Sequence, residues 1–160
     1  FYLRAAERKT LESVYQKVEN IVKGAALATG CDYKFGLFQN WVDDVVPTPL
    51  FDQLFFQEVA DYGIDESEIE RSERNSLGSS DVGNVSQVVP TIQPTVSISD
   101  SPIPGHSGEF KAAAGSPKGY ASISVAANLL ANTALALLLD PEKLAAIKAQ
   151  HQSLTQTNNN

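Results

Sequence analysis

Residues 1–38 read FYLRAAERKTLESVYQKVENIVKGAALATGCDYKFGLF, and this stretch decides the fold class. The first five residues are aromatic and apolar, which predicts a half-buried strand from Phe1 to Ala5. From Glu7 to Thr29 the apolar residues recur every three or four positions, which predicts one long helix that Gly30 ends. Apolar and polar residues alternate from Asp32 to Phe38, which predicts a second strand. The order strand, helix, strand favours an α/β fold.

Further along the chain, prolines mark the starts of helices. Pro49 suits a first helical turn, and helical spacing continues from Leu50 to Tyr62. An alanine-rich segment from Pro117 to Leu139 is apolar on nearly all sides, as expected for a helix that packs on a sheet. Asp140 and Pro141 predict its end and the start of a last helix, and the polar residues 152–160 predict a disordered tail.

Two segments between these helices lack regular periodicity. The residues from Asp61 to Asn75 are mostly charged and offer only Ile64 and Ile69 for burial, which predicts a solvated linker or a frayed helix. The following run from Gly78 to Ser86 is rich in Gly, Ser and Asp and predicts a turn or loop.

The composition narrows the class of protein. With 12 Lys and Arg against 19 Asp and Glu, the net charge of −7 and the absence of a basic cluster argue against a nucleic-acid partner. The single cysteine, Cys31, has no internal disulfide partner, which favours a reducing, cytoplasmic location. The longest apolar stretch, residues 129–139, is interrupted by Asn132 and Thr133 and is too short to cross a bilayer, so no membrane partner is expected.

Two features suggest that the chain is part of a longer protein. It contains no Met, and it opens at Phe1 inside a predicted strand. We therefore expect a fragment.

His106 is the best candidate for chemistry. It lies between Pro104-Gly105 and Ser107-Gly108, on a predicted irregular loop, where α/β folds place functional groups. The run from Gly78 to Ser86 offers backbone N–H groups and hydroxyls to an anion, or it is a purely structural loop. It lacks the lysine and the glycine spacing of a phosphate-binding loop. From the residue patterns alone, we predict an α/β domain with a candidate functional site at a loop histidine.

Several motifs together resemble a known family. They are Gly78-Ser79-Ser80-Asp81-Val82-Gly83-Asn84-Val85-Ser86, then Val89-Pro90-Thr91-Ile92, then Gly105-His106 with Phe110 four residues later. This pattern resembles the C-terminal part of the zinc amidohydrolases of the peptidase M-twenty family, in the aminobenzoyl-glutamate hydrolase and dipeptidase-like branch. Tyr2-Leu3-Arg4-Ala5 and Gly24-Ala25-Ala26-Leu27-Ala28-Thr29-Gly30 resemble the second half of that family's lid domain.

The resemblance implies an architecture and a reaction. Residues 1–45 would be the second half of an α+β lid that forms homodimers, and residues 46–151 the C-terminal part of a mixed-sheet catalytic domain, before the tail at 152–160. The complete enzyme would use two zinc ions to hydrolyse the amide bond of a small acyl-amino acid or a dipeptide.

The resemblance also implies roles for particular residues. His106 matches the family's C-terminal metal-ligand histidine. A second group, Gly78, Ser79, Ser80 and Asp81, falls on a loop that shapes the substrate pocket. Arg4 lies on a lid strand that can face a substrate carboxylate, although an exposed strand arginine is the favoured interpretation.

The departures from the family pattern imply that this chain alone is inactive. The family needs a His-x-Asp motif, a bridging ligand and a Glu-Glu pair that supplies the general base. No His precedes His106, and no two Glu residues are adjacent. One histidine cannot both hold zinc and activate its water, so no residue here is assigned a catalytic role. The alternatives are a non-catalytic association module derived from that fold, or complementation by a second chain.

Overall fold

The computed structural model describes residues 1–71 and 78–158. Within these ranges the regular elements are helical, and they are α1 (Arg8–Thr29), α2 (Pro49–Asp61), a 3-10 turn (Glu66–Glu68), α3 (Val82–Ser86), α4 (Gly108–Ala114), α5 (Pro117–Leu139) and α6 (Pro141–Asn158).

These elements form two compact units that are discontinuous in sequence. The first unit combines Phe1–Val46 with the described part of Asn75–Val88. The second combines the described part of Pro47–Arg74 with Val89–Asn160. The first unit therefore contains α1 and α3, and the second contains the other helices.

Helix α1 follows the sequence prediction closely. It runs from Arg8 to Thr29, and the next residue, Gly30, adopts the left-handed conformation (φ 70°) that favours glycine at a helix C-terminus. Its apolar stripe is only half-buried, and the ring of Tyr15 contacts the rings of Phe35 at 4.9 Å and Trp41 at 5.3 Å between centroids. Aromatic contacts thus hold the segment after α1 against this helix.

The two predicted strands lie in this first unit. Residues 1–5 and 32–38 are neither helical nor paired into a ladder, and no strand is assigned anywhere in the described ranges. A strand needs a neighbouring strand to satisfy its backbone N–H and C=O groups. The α/β class therefore stays a prediction, and so do the domain boundaries at residues 45 and 151.

The core of the second unit lies between α2 and α5. Phe55 and Val59 of α2 meet Leu129 of α5, and all three side chains are at most 7% exposed. Five partly buried apolar side chains pack around them: Phe56, Ile64, Ile69, Ile92 and Val125. Burial of these side chains is the main source of stability in this unit.

Side chains cap two helix starts in the second unit, one from a distant helix and one from the adjacent residue. At the start of α2, the backbone N–H of Leu50 donates to Gln150 Oε1 of α6 at 2.9 Å. At the start of α6, the backbone N–H of Lys143 donates to Asp140 Oδ1 at 2.9 Å, as predicted from the Asp-Pro pair. These bonds satisfy amide groups that a helix N-terminus leaves without an internal partner.

Helix α5 exposes an apolar surface. Leu130, Leu135 and Leu138 are 64%, 52% and 76% exposed, although they lie on the same helix as the buried Leu129. With 23 residues, α5 is long and apolar enough to cross a membrane by length and composition. The helix is longer than the apolar stretch at 129–139, so its length does not argue against a membrane span. The absence of a membrane partner stays a prediction.

The C-terminal segment differs from the predicted disordered tail at 152–160. Helix α6 continues through these positions to Asn158. No Gly or Pro follows Pro141, and the buried His151 (5% exposed) anchors this part of the helix. Residues 159–160 lie outside the described ranges.

The charged segment after α2 is better anchored than a solvated linker. Ile64 and Ile69 pack on the core of the second unit. Arg71 places its guanidinium 4.0 Å from the Phe56 ring centroid and pairs with Glu66 at 2.8 Å. The rest of the predicted linker, 72–75, falls outside the described residues.

The 3-10 turn begins at a carboxylate, that of the N-cap Asp65, whose pKa is lowered by hydrogen bonds from one residue. Hydrogen bonds from the Ser67 hydroxyl (2.6 Å) and backbone N–H (2.9 Å) hold the pKa of Asp65 below its usual value. Because these bonds favour the charged form, the stability they add is present above the unfolded pKa and is lost as pH falls through the lower folded pKa.

We expect Ser67→Ala to raise the pKa of Asp65 toward its usual value, because the hydroxyl bond is the largest cause of the shift. Side-chain carboxyl chemical shifts followed through an acid titration measure this pKa. Ser124→Ala, on the exposed side of α5, is the control and should leave it unchanged. An unchanged Asp65 pKa in Ser67→Ala would contradict the assignment.

Candidate functional site

The Gly-Ser-Asp run lies on the first unit and leads into α3. Gly78, Ser79 and Asp81 are exposed, and Ser80 is partly buried. The Ser80 hydroxyl accepts a hydrogen bond from the Val82 backbone N–H at 3.3 Å. Ser80 therefore satisfies one backbone amide in the first turn of this short helix, whereas its N-cap residue, Asp81, is exposed and makes no side-chain capping bond.

Asn84 of α3 ties this run to the chain after α1. Its amide nitrogen donates to the Trp41 carbonyl at 3.1 Å and to Asp43 Oδ2 at 2.8 Å. Its amide oxygen accepts from the Asp43 backbone N–H at 3.3 Å. A single side chain thus makes three hydrogen bonds to a segment more than 40 residues away in sequence, which fixes its rotamer.

Three further contacts in the same unit place α3 against residues 43–46. Gly83 approaches the Asp43 carbonyl so closely that an added Cβ would lie 2.8 Å from its carbon and closer still to its oxygen. The Ser86 hydroxyl accepts from the Val46 backbone N–H at 2.9 Å, and both residues are fully buried. Gln87 donates to the Asp44 carbonyl at 2.7 Å. We call α3 together with residues 41–46 the α3 clamp.

Arg8 brings the start of α1 to the α3 clamp. Its backbone N–H donates to Asp44 Oδ1 at 2.9 Å, and its Nη1 donates to Asp43 Oδ1 at 2.5 Å. Its guanidinium carbon lies 4.2 Å from the Trp41 ring centroid. The guanidinium pairs with the Asp43 carboxylate of the clamp and with Glu12 of α1, so the polar centre of the first unit is electrostatically paired.

Sequence reasoning missed this polar centre. Asn84 and Gly83 were quoted only as part of a family-like motif, and Asp43 and Arg8 were given no role. The available signal was the close spacing of Trp41, Asp43 and Asp44 before a proline pair, which indicates an ordered polar turn. It does not indicate which side chain pairs with it.

His106 lies on the second unit in an unusual backbone conformation. Its φ is 59°, and it is the only non-glycine residue with positive φ in the described ranges. The next residue, Ser107, is the N-cap of α4. Its hydroxyl oxygen accepts from the Phe110 backbone N–H at 3.0 Å, and the hydroxyl donates to the Pro104 carbonyl at 2.7 Å. This tight turn holds His106 in the left-handed region and leaves its imidazole exposed. Such strain in a residue other than glycine is concentrated at functional sites.

The residues that the structure describes were tested as a zinc site. Among residues 1–71 and 78–158, no group of three or more His, Cys, Asp or Glu side chains is arranged to hold a metal ion. His106 offers one exposed imidazole, which is a single ligand where zinc needs at least three from the protein. These described residues by themselves do not fit a zinc centre.

The predicted site residues are distributed over both units. Gly78, Ser79, Ser80 and Asp81 belong to the first unit, and His106 belongs to the second. Arg4 is exposed in the first unit, with its guanidinium carbon 5.7 Å from the Tyr2 ring centroid. Their predicted roles stay predictions.

Two curated proteins are similar to this chain. A human protein named Xaa-Arg dipeptidase is 30% identical over 148 residues, which are 92% of this chain and 34% of the relative. Nearly the whole chain is thus similar to part of a dipeptidase. A mouse Xaa-Arg dipeptidase is 28% identical over 156 residues, 98% of this chain and 36% of the relative. No family model matches the chain.

The chain spans about a third of the length of these curated relatives. The dipeptidase-like hydrolase predicted from the motifs is supported at this coarse level. The aminobenzoyl-glutamate branch, the zinc ions and the dimer stay predictions.

Proposed function

We propose that this chain is the C-terminal part of a metal-dependent dipeptidase that hydrolyses the amide bond of dipeptides or small acyl-amino acids. The observation that supports this most is the similarity to two Xaa-Arg dipeptidases across nearly the whole chain. A dipeptide that ends in Arg is accordingly the first substrate to test.

In this proposal the 160 residues supply one part of a larger site. His106 contributes an imidazole from a preorganised turn of the second unit. The general base and the other metal ligands come from polypeptide outside these 160 residues. The chain by itself is therefore inactive.

The coding sequence upstream of Phe1 is the first measurement. We expect an open reading frame that contains a His-x-Asp motif and an adjacent Glu-Glu pair, because hydrolysis needs further ligands and a base. A start codon immediately before Phe1 would contradict the proposal and favour the association module.

A substitution at His106 separates its chemical role from its structural one. We expect His106→Gly to leave stability unchanged or to raise it by up to about 1 kcal/mol, because glycine accepts positive φ without strain. In the longer polypeptide the same change should abolish hydrolysis of a dipeptide ending in Arg. Urea denaturation and dipeptide hydrolysis are the two measurements.

The control is His106→Asn, which tolerates the left-handed conformation and removes the imidazole. It should also fold and also lose activity. Full activity in both variants would show that the imidazole takes no part in the reaction.

The association module is the second candidate function, favoured by the exposed leucines of α5. If it is correct, the isolated chain forms a defined oligomer in size-exclusion chromatography, and Leu138→Lys dissociates it. A monodisperse monomer at high concentration would exclude it.

A further inference from the structure

Three Ser-Pro or Thr-Pro dipeptides occur in this chain, at Thr48-Pro49, Ser101-Pro102 and Ser116-Pro117. In two of them the proline is the first residue of a helix, and the preceding residue is its N-cap. Helix starts prefer this order, because Ser or Thr suits the N-cap and Pro suits the first helical position. The fold therefore explains the dipeptides at 48 and 116.

The hydroxyl groups at these two helix starts are engaged or buried. Ser116 accepts from the Gly119 backbone N–H at 3.1 Å and donates to the Ala113 carbonyl at 2.7 Å. Thr48 is 0% exposed. Neither hydroxyl is presented to a second protein.

Ser101 has no comparable structural role. The next helix begins only at Gly108, so Pro102 starts no helix. In the run before it, the Ser97 hydroxyl donates to the Ser99 carbonyl at 2.6 Å, and the Ser99 hydroxyl donates to the Ser101 carbonyl at 2.8 Å. Ser101 itself is exposed, and none of the described residues hydrogen-bonds to its hydroxyl.

The backbone around Ser101 is free to change conformation. Residues 96–103 make no backbone–backbone hydrogen bond with any residue in the described ranges. Side-chain bonds such as those of Ser97 and Ser99 are what order it locally. Detaching this segment breaks no helix or strand, so an extended conformation in another protein's cleft is readily reached.

We propose that Ser101 is a phosphorylation site for a proline-directed serine/threonine protein kinase. Ser101 Oγ attacks the γ-phosphorus of magnesium-bound ATP, and a new O–P bond forms. The bond from that phosphorus to the β–γ bridging oxygen breaks, and ADP leaves. The hydroxyl proton passes to the catalytic aspartate of the kinase.

The phosphate would add a charge of about −1.5 to −2 beside an existing ion pair. Asp100 forms an ion pair with Lys118, which lies in the first turn of α5. A phosphate on the neighbouring residue is a stronger acceptor for the same ammonium group. The modification therefore changes the electrostatics where residues 96–103 meet α5.

The test incubates the full 160-residue chain with a proline-directed kinase and magnesium ATP, and locates phosphate by fragmentation mass spectrometry. We expect one phosphate, on Ser101. Ser101→Ala should lose it, and Pro102→Ala should lose it although the hydroxyl remains. Ser116→Asn, which keeps a side chain that caps α5 and lacks a hydroxyl, is the matched control and should retain it.

Synthetic peptides that span each dipeptide separate the contribution of the fold. We expect the kinase to accept the peptides around Thr48, Ser101 and Ser116, and to accept only Ser101 in the folded chain. Phosphate on Thr48 or Ser116 of the folded chain at the same rate would overturn the proposal. So would a Ser101 that takes no phosphate, or that takes it equally well in Pro102→Ala.

Discussion

Leu129→Ala is expected to lower the free energy of unfolding of the second unit by about 2–5 kcal/mol. Leu129 is 3% exposed and packs against Phe55 and Val59, so truncation removes buried methyl groups and leaves a cavity between α5 and α2. Both Leu and Ala favour helices, so the loss reports packing rather than helix propensity. Urea denaturation followed by far-ultraviolet circular dichroism measures it.

The matched control is the neighbouring residue on the same helix. Leu130 is 64% exposed, and Leu130→Ala should change the unfolding free energy by no more than about 0.5 kcal/mol. Equal losses at the two positions would show that the exposed side of α5 is covered in solution. That result would favour the association module.

Gly83→Ala is expected to destabilise the first unit by at least about 1–3 kcal/mol. The new methyl group would overlap the Asp43 carbonyl, which is backbone and cannot rotate away. Relief of the overlap requires α3 to move, which strains the three hydrogen bonds of Asn84. Trp41 is the single tryptophan of the chain, and it accepts one of these bonds at its carbonyl, so its fluorescence reports the α3 clamp directly.

The control for Gly83→Ala is the same substitution in α1. An added Cβ at Gly24 meets no atom within 4 Å, so Gly24→Ala should stabilise by about 0.5–1 kcal/mol through helix propensity. Opposite signs at the two glycines are the expected result. Stabilisation at both positions would mean that α3 does not lie against Asp43.

Local signals in the sequence were enough to locate the main helices. Gly30 marks the end of α1, Pro117 marks the start of α5, and Asp140 caps α6, because each acts on the backbone of its immediate neighbours. The helical extension through residues 152–158 was not foreseen, since its apolar contacts are too sparse to give a periodic pattern.

Interactions between distant parts of the chain were less accessible. Ile64 and Ile69 were the only apolar residues in a charged segment, and their burial depends on the position of Phe56, which periodicity does not reveal. The predicted strands at 1–5 and 32–38 need partner strands, and the sequence does not identify them. Their status depends on contacts rather than on local preference.

The candidate site was predictable only where neighbouring residues determine its geometry. The turn at His106 follows from Pro104 and Gly105, which act locally, whereas its positive φ is set by the hydrogen bonds of Ser107. The bonds between Asn84 and Asp43 join residues 41 positions apart. Polar pairs of this kind have no period, so a single sequence cannot match the partners.

Because the first unit is discontinuous in sequence, its two segments are synthesised at different times on the ribosome. Helix α1 and Trp41 emerge first, but Asn84 and Gln87, which bind residues 41–44, are added only after more than 40 further residues. At about 5–20 residues per second, translation leaves this polar segment without its partners for roughly 2–9 s. During that interval Arg8 is the side chain already made that can pair with Asp43. The ion pair between Arg8 and Asp43 can therefore form before the remaining segment of the first unit has been synthesised.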